Sequence, residues 1–205
     1  MATTWTHIAA RAVVTPLIGT GVTPNHLTTL RLLTGLSACV AVALGTPAGN
    51  VWGALLWLLS CFLDRADGEL ARVGNMMSEK GHAYDYASDA VINALIFFAA
   101  GIGARHSWLG VSAIALGALA TAAMGVCWVC GEIYQKLENS GQKAYAGKWG
   151  FDLDDGLYLL APFIGFGLMS FVVLGGAIGT SVMAVVILVR LRLLRTRLRK
   201  AKAGA

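Results

Sequence analysis

Four aspartates stand at helical spacings in a chain that is otherwise strongly apolar. Asp64 and Asp67 are three residues apart, and Asp85 and Asp89 are four residues apart. On α-helices, each spacing brings both carboxylates onto one face, about one turn from each other. The residues between the two pairs suffice for a helix end and a turn. Two antiparallel helices can therefore bring all four carboxylates together.

Four carboxylates at the edge of a bilayer repel one another and need compensating charge. Divalent cations with oxygen ligands supply it most simply, so we expect the four aspartates to hold Mg²⁺ or Mn²⁺, as two ions. Pairing with Arg65 and Arg72 is the alternative, and it would make the cluster purely structural. We favour metal because clusters of ionisable residues inside membranes mark functional sites.

Small residues and an arginine accompany the aspartates. Gly68 and Ala71 leave one side of the first helix open to a flat or bulky ligand, and Gly81 keeps the start of the next helix open. Arg72 adds a charged fork suited to phosphate. A metal pair, an arginine and an open cleft together predict a diphosphate site.

The composition places this site in a membrane protein. The chain is 57% hydrophobic and only 13% charged, with a mean hydropathy of +0.67. Apolar runs of helical length recur from residue 27 to residue 189. We therefore predict an all-α fold, a polytopic membrane helical bundle of about six transmembrane helices.

The elements that position the site follow from these runs, within one domain over residues 1–205. Residues 1–22 carry an amphipathic surface helix at 5–21, residues 23–192 form the bundle, and residues 193–205 form a basic tail. The predicted spans are 25–45, from 51 into the acidic stretch, 83–103, 108–131, 157–174 and 179–192.

The basic residues predict the orientation. Lys and Arg concentrate in the loops at 72–80 and 132–156 and at 190–202, whereas the opposite loops carry only Arg105. Both termini and the acidic stretch should therefore face the cytoplasm, from an inner or plasma membrane. The stretch 190–202 holds seven of the sixteen basic residues and no aromatic residue, which favours contact with membrane lipids and argues against nucleic acid.

The acidic stretch resembles the signature of the CDP-alcohol phosphotransferase, or CDP-alcohol phosphatidyltransferase, family of integral membrane enzymes. The signature reads Asp-x2-Asp-Gly-x2-Ala-Arg-x8-Gly-x3-Asp-x3-Asp. It is matched at all eight positions, by Asp64, Asp67, Gly68, Ala71, Arg72, Gly81, Asp85 and Asp89. A six-span plan with the signature across the second and third spans is also similar to that family.

The resemblance implies metal-dependent transfer of a substituted phosphate group in phospholipid synthesis. A CDP-linked alcohol donor would lose CMP to the hydroxyl of an alcohol acceptor. The resemblance gives Asp89 the role of general base and of a further metal contact, and it suggests a homodimer. It makes Asp64, Asp67 and Asp85 metal ligands and Gly68, Ala71, Arg72 and Gly81 the CDP-binding positions.

The residues TPNHLTTLR, at 23–31, resemble the entry to the first span in lipid-making members of the family. Asn25, Thr28 and Arg31 are therefore expected to line the site. The alternative is that Asn25 caps the helix and that Arg31 reaches out to the membrane surface.

Two branches of the reaction stay open. TPNHLTTLR slightly favours transfer of a phosphatidyl group from CDP-diacylglycerol to a polar acceptor such as glycerol phosphate, serine or inositol phosphate. Tyr84, where phosphatidyl-transferring members usually carry leucine, favours transfer of a polar phospho-alcohol to a lipid or polar acceptor. A remote alternative is a carboxylate-lined cation transporter. A transporter of that class would carry acidic residues in several spans and would show repeated halves. In this chain the acidic residues cluster in one region, and no internal repeat is visible.

Overall fold

A computed structural model describes residues 5–138 and 153–203, and it contains helices and no strand within those ranges. The α-helices are α1 Trp5–Val14, α2 Pro24–Ala43, α3 Pro47–Val73, α4 Glu79–Gly103, α5 Ser112–Glu138, α6 Leu160–Gly165 and α7 Met169–Ala203. Short 3-10 helices cover Thr15–Leu17, Ala104–His106 and Leu153–Leu159. The predicted class, an all-α membrane helical bundle, is confirmed.

Six helices follow α1 in the described residues, where six spans were predicted. Four of them are long and apolar enough to cross a membrane: Pro24–Ala43, Glu79–His106, Ser112–Glu138 and Met169–Arg199. Helix α3 is also long, but only its first part, up to residue 63, is apolar. Helix α6 belongs to a shorter apolar segment, Gly156–Gly165.

The predicted boundary between the fifth and sixth spans is wrong. The spans predicted at 157–174 and 179–192 leave a loop at 175–178, but these residues lie inside α7, and the helical path is interrupted earlier, around Gly167, whose φ is +75°. Gly176 does not end a helix; it permits close packing between α7 and α4. A Cβ atom there would lie 2.4 Å from Cδ1 of Phe97, so the glycine lets α7 lie close to α4.

The predicted surface helix at 5–21 is too long. Helix α1 ends at Val14, and after a 3-10 turn the chain passes through Gly19 and Gly21, both at positive φ. Val14 is buried against Ala66 and Leu70 of α3, so α1 is fixed to the bundle beside the acidic stretch.

The first residues of the loop predicted at 132–156 are helical: α5 continues to Glu138. Residues 139–152 lie outside the described residues, and the predicted orientation stays a prediction.

Helix α2 packs against both α3 and α4, and the three helices form the scaffold of the site. Gly35 of α2 permits this close packing, since a Cβ atom there would lie 2.8 Å from Ile92 and 2.9 Å from Ser60. Ile92 is fully buried in the resulting core. Ser78 caps α4 by accepting a hydrogen bond from the backbone N–H of Gly81, which fixes the start of that helix.

Candidate active site

Three of the four aspartates converge. Asp64 and Asp67 come from α3 and Asp85 from α4, and each offers one carboxylate oxygen within 4.8 Å of the other two. The connection between the two helices is short, from Gly74 to the cap at Ser78, and α2 packs against both of them, which holds their aspartates near one another. Three carboxylate oxygens at such distances match the ligand set of a single hard cation.

Asp89 lies beside this cluster but pairs with an arginine from α2. Nη2 of Arg31 donates to Oδ1 of Asp89 in a short ion pair. Nη1 of the same side chain lies 3.1 Å from Oδ1 of Asp64 and 3.3 Å from Oδ1 of Asp85. One guanidinium therefore contacts three of the four aspartates.

Arg31 is only 3% exposed, so it does not reach out to the membrane surface as the alternative interpretation held. The sequence pointed to Arg65 and Arg72 as the alternative counter-ions, and Arg31 was not predicted in that role. Arg31 Nε makes no hydrogen bond among the described residues, although it is buried. A buried donor without a partner carries a desolvation cost. Such an unpaired group in Arg31 indicates that this side chain does not serve packing alone.

Thr28 of α2 contacts one of the three converging aspartates. Its hydroxyl, which is buried, donates to Oδ2 of Asp67 over 2.8 Å. The contact fixes the orientation of a carboxylate that is itself almost fully buried.

Asn25 does not cap α2. The cap is Thr23, which forms a capping box with His26, and Asn25 lies within the first turn. Its Oδ1 would lie 3.2 Å from a Cβ atom placed on Gly81, so the glycine allows the starts of α2 and α4 to approach each other.

A cavity of about 670 Å³ opens on these groups. It is lined by all eight signature residues and by Asn25 and Thr28. Several further lining residues were not predicted from the sequence, namely His7, Thr23, Pro24, Met76, Met77 and Ser78. No pattern in the sequence connects the N-terminal helix with the acidic stretch, so His7 could not have been found from spacing.

Arg72 and Gly68 line the same cavity. The atom nearest to a Cβ placed on Gly68 is Nη2 of Arg72, at 3.6 Å, which is ordinary contact. Internal packing therefore does not require glycine at this position, and its absent side chain leaves room toward the cavity. Nη2 of Arg72 donates to Oε1 of Glu69 over 2.7 Å.

The family of this chain is identified by comparison with known protein families. The model of the CDP-alcohol phosphatidyltransferase family matches residues 21–145, more than half of the chain and all of the site from Asn25 to Asp89. The chain belongs to the CDP-alcohol phosphatidyltransferase family. The resemblance drawn from the signature is confirmed.

One curated relative is a phosphatidylinositol phosphate synthase from Corynebacterium glutamicum. It is 31% identical over 153 residues, which cover 72% of this chain and 64% of the relative. The chain thus spans less than two thirds of the length of that relative. In this CDP-alcohol phosphatidyltransferase family member, α1 precedes the region that the family model matches, and α6 and α7 follow it.

Proposed function

We propose that this protein transfers a substituted phosphate group from a CDP-linked alcohol to the hydroxyl of a second alcohol, with release of CMP, in phospholipid synthesis. The main support is one observation: two helices of a family member bring three carboxylates to one point of a cavity that also holds Arg72 and Asp89.

The three converging aspartates fit a divalent cation. Asp64, Asp67 and Asp85 supply hard oxygen donors close enough to share one ion, and such donors suit Mg²⁺ or Mn²⁺. When bound, the metal would neutralise charge on the diphosphate and make CMP a better leaving group. The second ion, expected from the charge of four carboxylates, would need Asp89 as well.

Asp89 is proposed to take the proton from the attacking hydroxyl. A general base must be fixed within reach of that proton, and Arg31 fixes Asp89 through Oδ1. We assign proton transfer to the other oxygen, Oδ2. The buried side of the cavity, formed by α2, α3 and α4, would keep water from competing with the acceptor.

Arg72 is proposed to bind the diphosphate of the donor, next to the space left open by Gly68 and Ala71. These residues line the cavity on α3, one to five residues after Asp67. Gly81 opens the facing start of α4. A planar guanidinium suits bidentate contact with phosphate oxygens.

We favour CDP-diacylglycerol as the donor and a polar alcohol as the acceptor. The name of the relative, phosphatidylinositol phosphate synthase, supports this branch and makes a phosphorylated inositol the first acceptor to test. Transfer of a polar phospho-alcohol to a lipid is the alternative. A cytoplasmic active site, supported by the distribution of Lys and Arg, and a homodimer, implied by the family resemblance, belong to the same proposal.

The test is CMP release by purified protein in detergent with Mg²⁺. CDP-diacylglycerol is paired with inositol phosphate, glycerol phosphate or serine, and CDP-linked polar alcohols are paired with diacylglycerol. We expect release with one pair and its loss in Asp89→Asn. Glu79→Gln, an exposed carboxylate on the same helix, is the matched control and should keep wild-type activity.

Release that survives in Asp89→Asn would refute the assignment of the base. Absence of release with every pair would refute the proposed reaction. Cation flux through proteoliposomes without CMP release would favour the transporter alternative.

A further inference from the structure

A histidine from α1 reaches the side of the cavity that carries Arg72. Nδ1 of His7 lies 2.8 Å from Oε1 of Glu69, the same oxygen that accepts from Nη2 of Arg72 over 2.7 Å. Nδ1 of His7 and Nη2 of Arg72 are 3.3 Å apart. The three groups therefore form one contact that joins α1 to α3.

We propose that His7 and Glu69 are positioning residues, which hold the guanidinium of Arg72 where it can bind the diphosphate of a CDP-linked donor. The inference rests on the proposed function in one respect: it takes Arg72 to face such a donor. It goes beyond the signature, because His7 precedes the residues that the family model matches.

Arg72 needs external support. Its side chain is 49% exposed and has many rotamers, and fixing it on ligand binding would cost conformational entropy. Gly68 offers no side chain to hold it. Glu69 provides a fixed acceptor, since it lies three residues away on the same helix and its side chain is only 10% exposed.

Glu69 is in turn fixed by α1. Ala10 and Val14 are buried, and Val14 packs on Ala66 and Leu70, so the helix that carries His7 is anchored to α3. When Nδ1 of His7 carries hydrogen, it donates to Glu69, and Arg72 donates to the same oxygen. An acceptor held by a donor on the anchored helix α1 has little freedom to turn away.

This arrangement leaves Arg72 able to bind phosphate. The contact with Glu69 engages Nη2, and an arginine has five N–H donors, so donors are left for phosphate oxygens. Because Glu69 also accepts from His7, it binds Arg72 less completely than an unshared carboxylate would.

The first experiment measures CDP binding by calorimetry on the full chain in detergent, at constant Mg²⁺. We expect His7→Ala to raise the Kd for CDP about threefold to tenfold, as for partial loss of a charged hydrogen bond. His7→Asn keeps an N–H near the place of Nδ1 and should restore the Kd to within about twofold of wild type. His106→Ala removes an exposed histidine in the 3-10 turn after α4 and should leave the Kd unchanged.

A double-mutant cycle separates positioning from direct contact with the ligand. If His7 acts through Arg72, His7→Ala has no further effect on the Kd in an Arg72→Ala background. Glu69→Gln should behave like His7→Ala. In steady-state kinetics, both single variants should raise KM for the donor more than they lower kcat.

Two results would overturn the inference while leaving the proposed function in place. One is a wild-type Kd for CDP in both His7→Ala and Glu69→Gln. The other is an effect of His7→Ala that persists in full without Arg72, or that His7→Asn fails to correct. Wild-type protein that binds no CDP would refute the proposed function itself, and the inference with it.

Discussion

Arg31→Met tests how the four aspartates are balanced. The wild-type guanidinium is buried and contacts Asp64, Asp85 and Asp89, with Nη1 at 3.1 Å and 3.3 Å from the first two. Methionine fills a similar volume with no charge, so the variant leaves three carboxylates without this cation.

The size of the effect follows from burial. Breaking a buried ion pair costs about 3–5 kcal/mol, and because the three carboxylate side chains are 23% to 33% exposed we take the low end, about 3 kcal/mol. In a chain of this length each kcal/mol changes Tm by about 2–4 °C, so Tm should fall by about 6–12 °C without divalent ions.

Mg²⁺ should reverse much of that loss. A bound cation takes over the compensation of the carboxylates, and it stabilises the folded state that binds it. We therefore expect Mg²⁺ to raise Tm more in Arg31→Met than in wild type. Thermal unfolding in detergent, followed by tryptophan fluorescence at one scan rate with Mg²⁺ or with EDTA, measures both values.

Arg105→Met is the matched control. Nη1 of Arg105 donates to the backbone oxygens of Ala43 and Ile102, over 3.0 Å and 2.8 Å, and these are neutral acceptors. This variant should lose stability equally with and without Mg²⁺. The reasoning is refuted if Mg²⁺ raises Tm by the same amount in Arg31→Met and wild type, or if Arg31→Met is as stable as wild type in EDTA.

Two further predictions concern the support of the site and the course of the last helix. Thr28→Val removes the hydroxyl that donates to Asp67 and should weaken Mn²⁺ binding about tenfold, as measured by electron paramagnetic resonance. Thr28→Ser should restore the Mn²⁺ affinity. Unchanged affinity in the valine variant would contradict the role of Thr28 in orienting Asp67. Gly176→Ala should lower Tm through an overpacking cost of about 1–3 kcal/mol against Phe97. Gly175→Ala, with nothing within 4 Å of the added Cβ, should be tolerated, and equal effects would argue against this packing of α7.

The part of the site that could be predicted is local in sequence. The spacings of Asp64 to Asp67 and of Asp85 to Asp89 place each pair on one helix face, and the short connection keeps the end of α3 near the start of α4. Helical geometry alone determines these relations. The same reasoning found the all-α class, because long apolar runs need no tertiary information to be recognised.

The parts that could not be predicted depend on packing between distant segments. Arg31 meets the aspartates because Gly35 lets α2 approach Ile92 closely, and His7 meets Glu69 because α1 is fixed on α3. A glycine in such helices can either interrupt the helix or permit close packing. Gly167 lies at positive φ between two helices, whereas Gly176 permits contact with Phe97 inside a continuous helix. The sequence alone does not distinguish the two roles.

The contact of Arg31 with three aspartates bears on how the protein enters the membrane. The chain order places the cation first, on α2, and the carboxylates afterwards, on α3 and α4. Each charge alone is costly in lipid, and the cost falls once opposite charges meet. The second half of α3 and the start of α4 therefore supply the negative charges that balance Arg31 of α2. We expect these three helices to leave the insertion machinery and settle in the bilayer as one unit, rather than as three independent segments.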